Sequence, residues 1–444
     1  MVAFPPIERS FITSPKCIGL KPVPSPVGFS LVTSHVYTQT LFFFENVHHV
    51  PDFMNPSRIK NALEKTIEVY YPFAGRLIKK ENGRYDIGNF DKGVLFEVVD
   101  TADDFQHWKR HNFSYLIVPY EEMLSIKSYT GRDCPLYGMK LTFTKDGSCA
   151  LAYSVHHKLA DGVFLSRFIS YMCAISRGEK PDPEDYFMYT DGMRKPVKPL
   201  HGVNHNNLYP HCPPGQAPML TIKPVPSRKL IFCFDKEHLT QFKTEAFSDL
   251  EEPDIKVSLF NFLAAFLHKA VTKARQNPPD SCSDLLCVVA QHHCHPDKKM
   301  INYVGNYILP IPISNTVQQV LDKSICQIAK EVSIACKSVT IPYMESLEYY
   351  FNTSNNVESI VSPISRLGYG AAGLTDWSRF RENYDFGYGH FVRMRSFVES
   401  SPIPLITIMP SEKSTIELVL QLDVYSIERL LQDRDFVKHV KCIH

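Results

Sequence analysis

Apolar residues recur along this chain with two periods, one typical of helices and one typical of strands. Asn55 and Pro56 have the composition of a helix start, because asparagine caps helices and proline suits their first turn. Ile59, Leu63 and Ile67 follow at four-residue spacing, which places them on one face of a helix. This segment is therefore predicted to be an amphipathic helix.

Strand-like alternation appears on either side of two short turn signals. The dipeptide NG at residues 82–83 and the dipeptide DG at residues 146–147 are typical of tight hairpins between two strands. After the second turn, apolar and other residues alternate along residues 149–156, as in a strand with one buried face. His157 is therefore predicted to lie directly after the end of a strand.

The pattern is interrupted by a proline-rich stretch over residues 186–228, which predicts a connection between two domains. We predict an N-terminal domain over residues 1–185 and a C-terminal domain over residues 229–444, both of the α/β class. The pattern beyond the connection predicts, in order, a strand at 228–235, a long helix starting at Ser258, a helix over about 316–337, strands at 403–411 and 415–423, and a helix from near Ser426.

Composition adds no element to this prediction, but it argues against several classes of partner and location. The 444 residues include 48 Lys and Arg against 47 Asp and Glu, so bulk charge gives no reason to expect a nucleic-acid or membrane-surface partner. The 12 cysteines include no CxxC pair, which favours reduced thiols. The sequence shows no signal-peptide run and no membrane-length apolar stretch, so we expect a soluble, cytoplasmic protein.

The stretch HHKLADG, residues 156–162, carries the first candidate chemistry. His157 at a strand end, with Asp161 and Gly162 in the following turn, suits the positioning of an imidazole. Imidazole titrates near pH 6.5, so it can remove a proton from a hydroxyl or an amine close to neutral pH. The alternative is that His157 is a strand-end histidine hydrogen-bonded to the backbone.

Three further segments carry a resemblance to a known family. Residues 385–389 read DFGYG, residues 71–77 read YPFAGRL and residues 303–306 read YVGN. Together with HxxxDG, the sequence resembles the BAHD acyltransferases, whose signatures are HxxxDG near the middle of the chain and DFGWG towards the C-terminus. The order and spacing of the motifs and the length of the chain agree with this resemblance.

The resemblance implies a fold and a reaction. It implies two chloramphenicol acetyltransferase-like domains with mixed sheets and flanking helices, and an active-site channel at their interface. Acyl-CoA would be a co-substrate, no cofactor would be permanently bound, the acceptor would be a small molecule and the enzyme a monomer. His157 would be the general base, and structural roles would fall to the motif residues Asp161, Gly162, Asp385, Phe386, Gly387 and Gly389.

The resemblance also implies three binding roles. Trp377 corresponds to an indole whose N–H stabilises the oxyanion in similar enzymes, and Thr375 would line the substrate pocket. The alternative for Trp377 is a core or interface aromatic. Ser258 corresponds to a serine that helps to hold a CoA phosphate, and it could equally be a helix N-cap, which is compatible with that role.

Two departures from the family pattern affect these expectations. Tyr388 replaces the second aromatic of DFGWG, so the shape of that segment is in doubt. Residues 291–299 read QHHCHPDKK where many relatives have an arginine that pairs with the motif aspartate; His292 or His293 could replace it, or the pair could be absent. The HHCH cluster is not expected to bind a metal, because ligands this close together cannot easily surround one zinc ion.

Four functions remain open at this point. The leading hypothesis is acyl transfer from an acyl-CoA to a hydroxyl of a specialised metabolite through a ternary complex. N-acylation of an amine or a polyamine uses the same machinery. A condensation-type domain would take its thioester from a carrier protein and shares the HHxxxDG string, so dependence on CoA would separate it. A non-enzymatic scaffold would need a lost catalytic residue, whereas His157 and Trp377 are both present.

Overall fold

The fold is described from a computed structural model of the chain. The described residues are 7–26, 28–181, 187–188, 199–213, 225–248, 256–291, 295–296, 303–366, 370–380, 384–397 and 404–442. Two large mixed sheets, one of six and one of seven strands, are each packed against helices. The predicted α/β class, with mixed sheets and flanking helices, is confirmed.

Strands and helices are distributed over both halves of the described chain. The strands are β1 (Glu8–Ile12), β2 (Val23–Pro24), β3 (Tyr37–Phe44), β4 (Arg76–Lys79), β5 (Tyr85–Gly88), β6 (Val94–Asp100), β7 (Tyr137–Phe143), β8 (Cys149–His156), β9 (Phe187–Met188), β10 (Ser227–Asp235), β11 (Leu285–Ala290), β12 (Tyr303–Val304), β13 (Ile308–Ile313), β14 (Ala372–Asp376), β15 (Arg393–Phe397), β16 (Leu405–Met409), β17 (Thr415–Asp423) and β18 (Lys441–Cys442). The helices are α1 (Phe29–Val32), α2 (Pro56–Val69), α3 (Phe105–Arg110), α4 (Gly162–Ser176), α5 (Lys236–Phe247), α6 (Leu259–Arg275), α7 (Val317–Asp322), α8 (Ile325–Ser338), α9 (Ile341–Thr353), α10 (Pro363–Arg366), α11 (Val424–Gln432) and α12 (Arg434–Val437).

The first sheet has the strand order β1-β6-β7-β8-β3-β15, and the second has the order β13-β11-β14-β16-β17-β10-β18. Both sheets are mixed, since β6 and β7 run parallel in the first and β14 runs parallel to β11 and β16 in the second. A three-stranded sheet, β2-β5-β4, accompanies the first. The hairpins predicted at residues 82–83 and 146–147 are confirmed as β4–β5 and β7–β8.

The second half of the chain contributes a strand to the first sheet. β15 pairs antiparallel with β3, with Met394 opposite Phe42, and both of these side chains are buried. This strand pairing joins the two halves of the chain close to the DFGYG segment. The division into residues 1–185, 186–228 and 229–444 stays a prediction, because about half of the proline-rich connection lies outside the described residues.

Local capping chemistry decides where several helices begin. The Asn55 side chain accepts a hydrogen bond from the amide of the third helical residue, so α2 starts at Pro56 as predicted. The helix predicted over 316–337 is wrong in one respect, since it is two helices. Ser324 forms a capping box with Gln327 between them, and this box starts a new helix.

The helices α2 and α4 pack against the first sheet, and their buried side chains share one core with those of β8. Ile59, Leu63 and Ile67 of α2 share one buried cluster with Phe164 and Phe168 of α4. A separate cluster forms around α6 in the second sheet. Within the described ranges, the structure has no helix with the length and apolar character needed to span a bilayer.

Candidate active site

The His157 backbone is held by residues from both halves of the chain. Its N–H donates to the carbonyl of Val36 at 2.8 Å, and its carbonyl accepts from the Asn306 side-chain amide at 2.6 Å. The ring is only partly buried, yet its Nδ1 is shielded from solvent and has no hydrogen-bond partner in the part of the chain that the structure describes. The backbone therefore carries the structural bonds, and the imidazole Nδ1 is left without one.

The Asp161 carboxylate is engaged by backbone amides. Its Oδ1 accepts from the first turn of α4, from Val163 at 3.0 Å and Phe164 at 3.2 Å. Its Oδ2 accepts from the amide of Tyr307 at 2.8 Å, which belongs to the other half of the chain. The Asp161 amide also donates to the carbonyl of Gly305. Asp161 is thus an N-cap and a bridge between the two halves.

The Trp377 segment packs against the start of α4. Trp377 donates its amide to the carbonyl of Ile408 at 2.8 Å, and its ring lies 5.9 Å from the ring of Phe380. A Cβ at Gly162 would overlap the Phe380 ring, so glycine is required for this close approach. The Trp377 segment and the turn that follows His157 are therefore neighbours in the fold.

The Trp377 side chain is half-buried, and its indole N–H has no acceptor among the residues that the structure describes. Thr375 lies two residues earlier, on β14, and it is half-buried opposite Thr407 of β16. The predicted alternative, that Trp377 is an aromatic at the interface, is compatible with its contact with Phe380. Besides this packing, the indole N–H of Trp377 is a hydrogen-bond donor that a ligand could use.

The DFGYG segment is a tight loop built around one carboxylate. Asp385 Oδ1 accepts from the amides of Gly387 at 2.7 Å, Tyr388 at 2.9 Å and Gly389 at 2.9 Å. Both glycines have positive φ, +98° and +94°, which disfavours any other residue. Burial alone would raise the pKa of Asp385, but the three amide hydrogen bonds together lower it below its usual value.

This loop lies at the far end of α4 from His157. The Ser176 hydroxyl donates to the carbonyl of Phe386 at 2.8 Å, and Arg177 donates to the carbonyl of Asp385 at 2.5 Å. The helix α4 contains 15 residues, and at about 1.5 Å per residue it separates its two ends by roughly 22 Å. DFGYG is therefore remote from the imidazole, and its hydrogen bonds are structural.

Comparison with known proteins agrees with this arrangement. The model of the Transferase family matches residues 29–436, which is most of the chain. The chain belongs to the BAHD acyltransferase family. It is therefore an acyltransferase enzyme.

Individual relatives show the breadth of this BAHD family. A shikimate O-hydroxycinnamoyltransferase of Nicotiana tabacum is 24% identical over 82% of this chain and 83% of its own length. A hydroxycinnamoyl-CoA:5-hydroxyanthranilate N-hydroxycinnamoyltransferase of Avena sativa is 25% identical over 83% of this chain and 84% of its own length. The crystal structure of F. sporotrichioides TRI101 with coenzyme A and T-2 has a TM-score of 0.77 at 16% identity and covers 96% of this chain and 100% of that one. That last likeness confirms the chloramphenicol acetyltransferase-like fold.

Tyr388, which replaces the tryptophan of the BAHD pattern, contacts residues at and beside the start of α2. Its ring lies under the Arg58 guanidinium, 5.1 Å from the ring centre, and 5.4 Å from the ring of Phe53. Its hydroxyl accepts a hydrogen bond from the Asn55 amide at 3.3 Å, directly before α2.

The remaining sequence predictions have different outcomes in this BAHD enzyme. Ser258 is the N-cap of α6 and accepts from the Asn261 amide at 3.1 Å, as its alternative predicted. Its side chain is exposed, so the helix N-terminus is open to solvent. His292 and His293, the candidates to replace the BAHD arginine, lie outside the described residues.

Sequence reasoning missed the part played by Asn306 and Ser30. In the sequence Asn306 is only the last residue of YVGN, but its side chain donates to the His157 carbonyl and also to the Ser30 hydroxyl, at 3.0 Å. The Asn306 amide donates to the same hydroxyl at 3.1 Å. Ser30 lies more than 100 residues before His157, so no local spacing could indicate this contact.

Replacement of Asp161 tests its role as a bridge. We expect Asp161→Ala to lower the free energy of unfolding by about 2–4 kcal/mol, because it removes an N-cap and leaves the buried Tyr307 amide without this acceptor. Urea denaturation followed by circular dichroism measures the change. Asp235→Ala is the matched control, since Asp235 caps α5 at the surface and bridges nothing in the described structure. Equal losses in the two variants would contradict the bridging role.

Proposed function

We propose that this enzyme transfers an acyl group from an acyl-CoA to a hydroxyl of a small specialised metabolite, with His157 as general base. The proposal rests mainly on one observation, namely that the backbone of His157 is fixed while its ring is not. Both halves of the chain hold its backbone, while its ring is partly exposed and neither ring nitrogen makes a hydrogen bond to any described residue. A residue fixed in this way can present its imidazole to a substrate with little loss of entropy.

The proposed reaction takes place in a ternary complex. The imidazole of His157 removes the proton of the acceptor hydroxyl as the oxygen attacks the thioester carbonyl. The tetrahedral intermediate then expels the CoA thiolate, and the imidazolium returns the proton to that sulfur. No covalent acyl-enzyme forms, so one histidine acts as base and then as acid. The Asp161 carboxylate takes no part, since its oxygens accept from backbone amides.

The oxyanion of the intermediate needs a hydrogen-bond donor, and we assign this role to the Trp377 indole. Two observations support the assignment: the segment packs beside Gly162 through Phe380, and the indole N–H has no acceptor in the described structure. Thr375, at the end of the strand that leads to Trp377, would line the substrate pocket. A donor that is already in place stabilises the developing charge without reorganisation.

Coenzyme A would be a co-substrate that leaves after each turnover. The exposed N-terminus of α6, capped by Ser258, supports a place for one of its phosphates, because helix N-termini attract anions. N-acylation is a second candidate, since the Avena sativa relative is an N-acyltransferase by name. The base and the oxyanion donor would be the same for an amine.

A thiol-release assay tests the proposal. Acetyl-, malonyl-, benzoyl- and hydroxycinnamoyl-CoA are each mixed with pools of alcohols and of amines, and free CoA is measured. We expect release that needs both an acyl-CoA and an acceptor, and product masses would identify an ester or an amide. An absence of release with acyl-CoA, combined with turnover of a carrier-protein thioester, would favour the condensation-type alternative and contradict the proposed donor.

A further inference from the structure

A line of hydrogen bonds begins at His156, the last residue of β8 and the one directly before His157. The side chain of His156 is fully buried, and its Nε2 lies 3.2 Å from Nδ1 of His35. The other nitrogen of His35, Nε2, lies 3.1 Å from the hydroxyl of Tyr85. That hydroxyl donates to a carboxylate oxygen of Glu358 at 3.1 Å. The line therefore connects the HHKLADG segment to a residue in the second half of the chain.

The two ends of this line settle the direction of every bond in it. The amide of Lys158 donates to Nδ1 of His156 at 3.3 Å, and a backbone N–H can only donate. A neutral His156 then carries its proton on Nε2 and donates to Nδ1 of His35. His35 in turn carries its proton on Nε2 and donates to Tyr85. At the far end the Glu358 carboxylate can only accept, which agrees with the same direction.

This assignment requires both histidines to be neutral. Burial and the nearby Lys158 ammonium lower the pKa of His35 to about 4. Burial and the neighbouring His35 lower the pKa of His156 well below its usual value. Both rings are therefore neutral at physiological pH, and each holds one fixed tautomer. The far end is also anchored, because Lys79 forms an ion pair with Glu358 at 2.8 Å.

The near end of the line acts on the backbone that carries His157. The bond from the Lys158 amide to the His156 ring spans the two peptide groups around His157. Val36 holds the His157 amide and Asn306 holds its carbonyl. With the His156 ring as third contact, the polar backbone groups on both sides of the imidazole are fixed. An error of about 1 Å in the position of such a group can reduce a rate by about 100-fold.

We propose that His156, His35, Tyr85 and Glu358 form a directional hydrogen-bond chain that positions His157 for catalysis. These four are positioning residues, since the chain reaches His157 through the backbone. The inference rests on the proposed role of His157 as general base. It implies that breaking the chain lowers kcat and leaves the KM for acyl-CoA unchanged, because substrate contacts are intact.

A matched pair of tyrosines gives the sharpest test. Tyr85→Phe removes the hydroxyl that links His35 to Glu358 and retains the ring packed 5.1 Å from His35. Tyr129→Phe is the control, because its ring also packs on His35, at 4.7 Å, but its hydroxyl is outside the chain. We expect kcat to fall about 3- to 10-fold in the Tyr85 variant, as for one lost hydrogen bond, with little change in the Tyr129 variant.

Two changes at His156 test the near end. His156→Phe keeps a buried ring and removes both hydrogen bonds, so we expect kcat per folded enzyme to fall about 100-fold. His156→Asn provides an amide oxygen that can accept from the Lys158 amide, as in an Asx-turn. We therefore expect its kcat to be about tenfold higher than that of His156→Phe. If His156→Phe does not fold, the tyrosine pair alone decides the question.

Each outcome supports or overturns the chain. Equal kcat for Tyr85→Phe and Tyr129→Phe, or a kcat for His156→Asn no higher than that for His156→Phe, would overturn it. A purely structural role would lower the melting temperature in proportion to the lost activity and leave kcat per folded enzyme unchanged. Failure of the proposed function is distinguishable, because His157→Ala would then retain acceptor-dependent thiol release whatever the tyrosine variants do.

Discussion

His157→Ala should lower kcat for acceptor-dependent CoA release by about 10²- to 10⁴-fold, the usual contribution of a general base. The physical reason is that an alcohol is a poor nucleophile until its proton is removed during attack. The Asp161 carboxylate cannot replace the imidazole, because its oxygens already accept from the amides of α4 and of Tyr307. The loss should appear in kcat and in kcat/KM together, since the imidazole acts in the transition state.

The measurement is steady-state thiol release with the best donor and acceptor pair, with folding checked by circular dichroism. His107→Ala is the matched control, because His107 lies exposed on α3, where its ring packs on the neighbouring His111 ring. That control should keep wild-type kinetics. Acceptor-dependent release that persists in His157→Ala at more than about a tenth of the wild-type rate would remove His157 from the mechanism.

The second large effect is expected for Trp377→Phe, which should lower kcat by about 10²- to 10³-fold. Phenylalanine keeps an aromatic ring beside Phe380, so the packing at Gly162 is retained while the indole N–H is lost. The half-buried position of Trp377 means that stability should change little. A loss confined to kcat would then identify a donor that acts on the oxyanion.

The chain has two tryptophans, and the other one provides the control for this experiment. Trp108 is buried beside Phe43 and Phe105 in a core cluster of the first sheet. Trp108→Phe should lower the melting temperature and leave kcat per folded enzyme near the wild-type value. A Trp377→Phe variant with less than about a threefold change in kcat would place the oxyanion donor elsewhere, without affecting the assignment of His157.

Short-range chemistry made part of the fold predictable. The hairpins at residues 82–83 and 146–147 and the start of α2 after Asn55 were all found, because each depends on residues close together in the chain. The break at Ser324 was missed, although its capping box with Gln327 is also local. The apolar periodicity continues on both sides of Ser324, so the pattern resembles that of one uninterrupted helix.

The pairing of β15 with β3 could not be predicted in this way. Met394 and Phe42 meet across more than 350 residues of sequence, and no period or turn signal encodes that separation. The same holds for Asn306, which was visible only as part of a motif. Its hydrogen bonds to Ser30 and to the His157 carbonyl depend on how the halves pack.

The sequence by itself determined the family, the strand end at His157 and the types of residue in each motif. Only the tertiary structure decided which groups contact one another. The Asp161 carboxylate accepts from the amide of Tyr307, and the His156 ring lies within hydrogen-bond distance of the His35 ring. The DFGYG segment lies at the opposite end of α4 from His157. The reason is physical. Caps, turns and periodicity are energies of a few neighbouring residues, whereas these contacts arise only when distant segments are packed into one core.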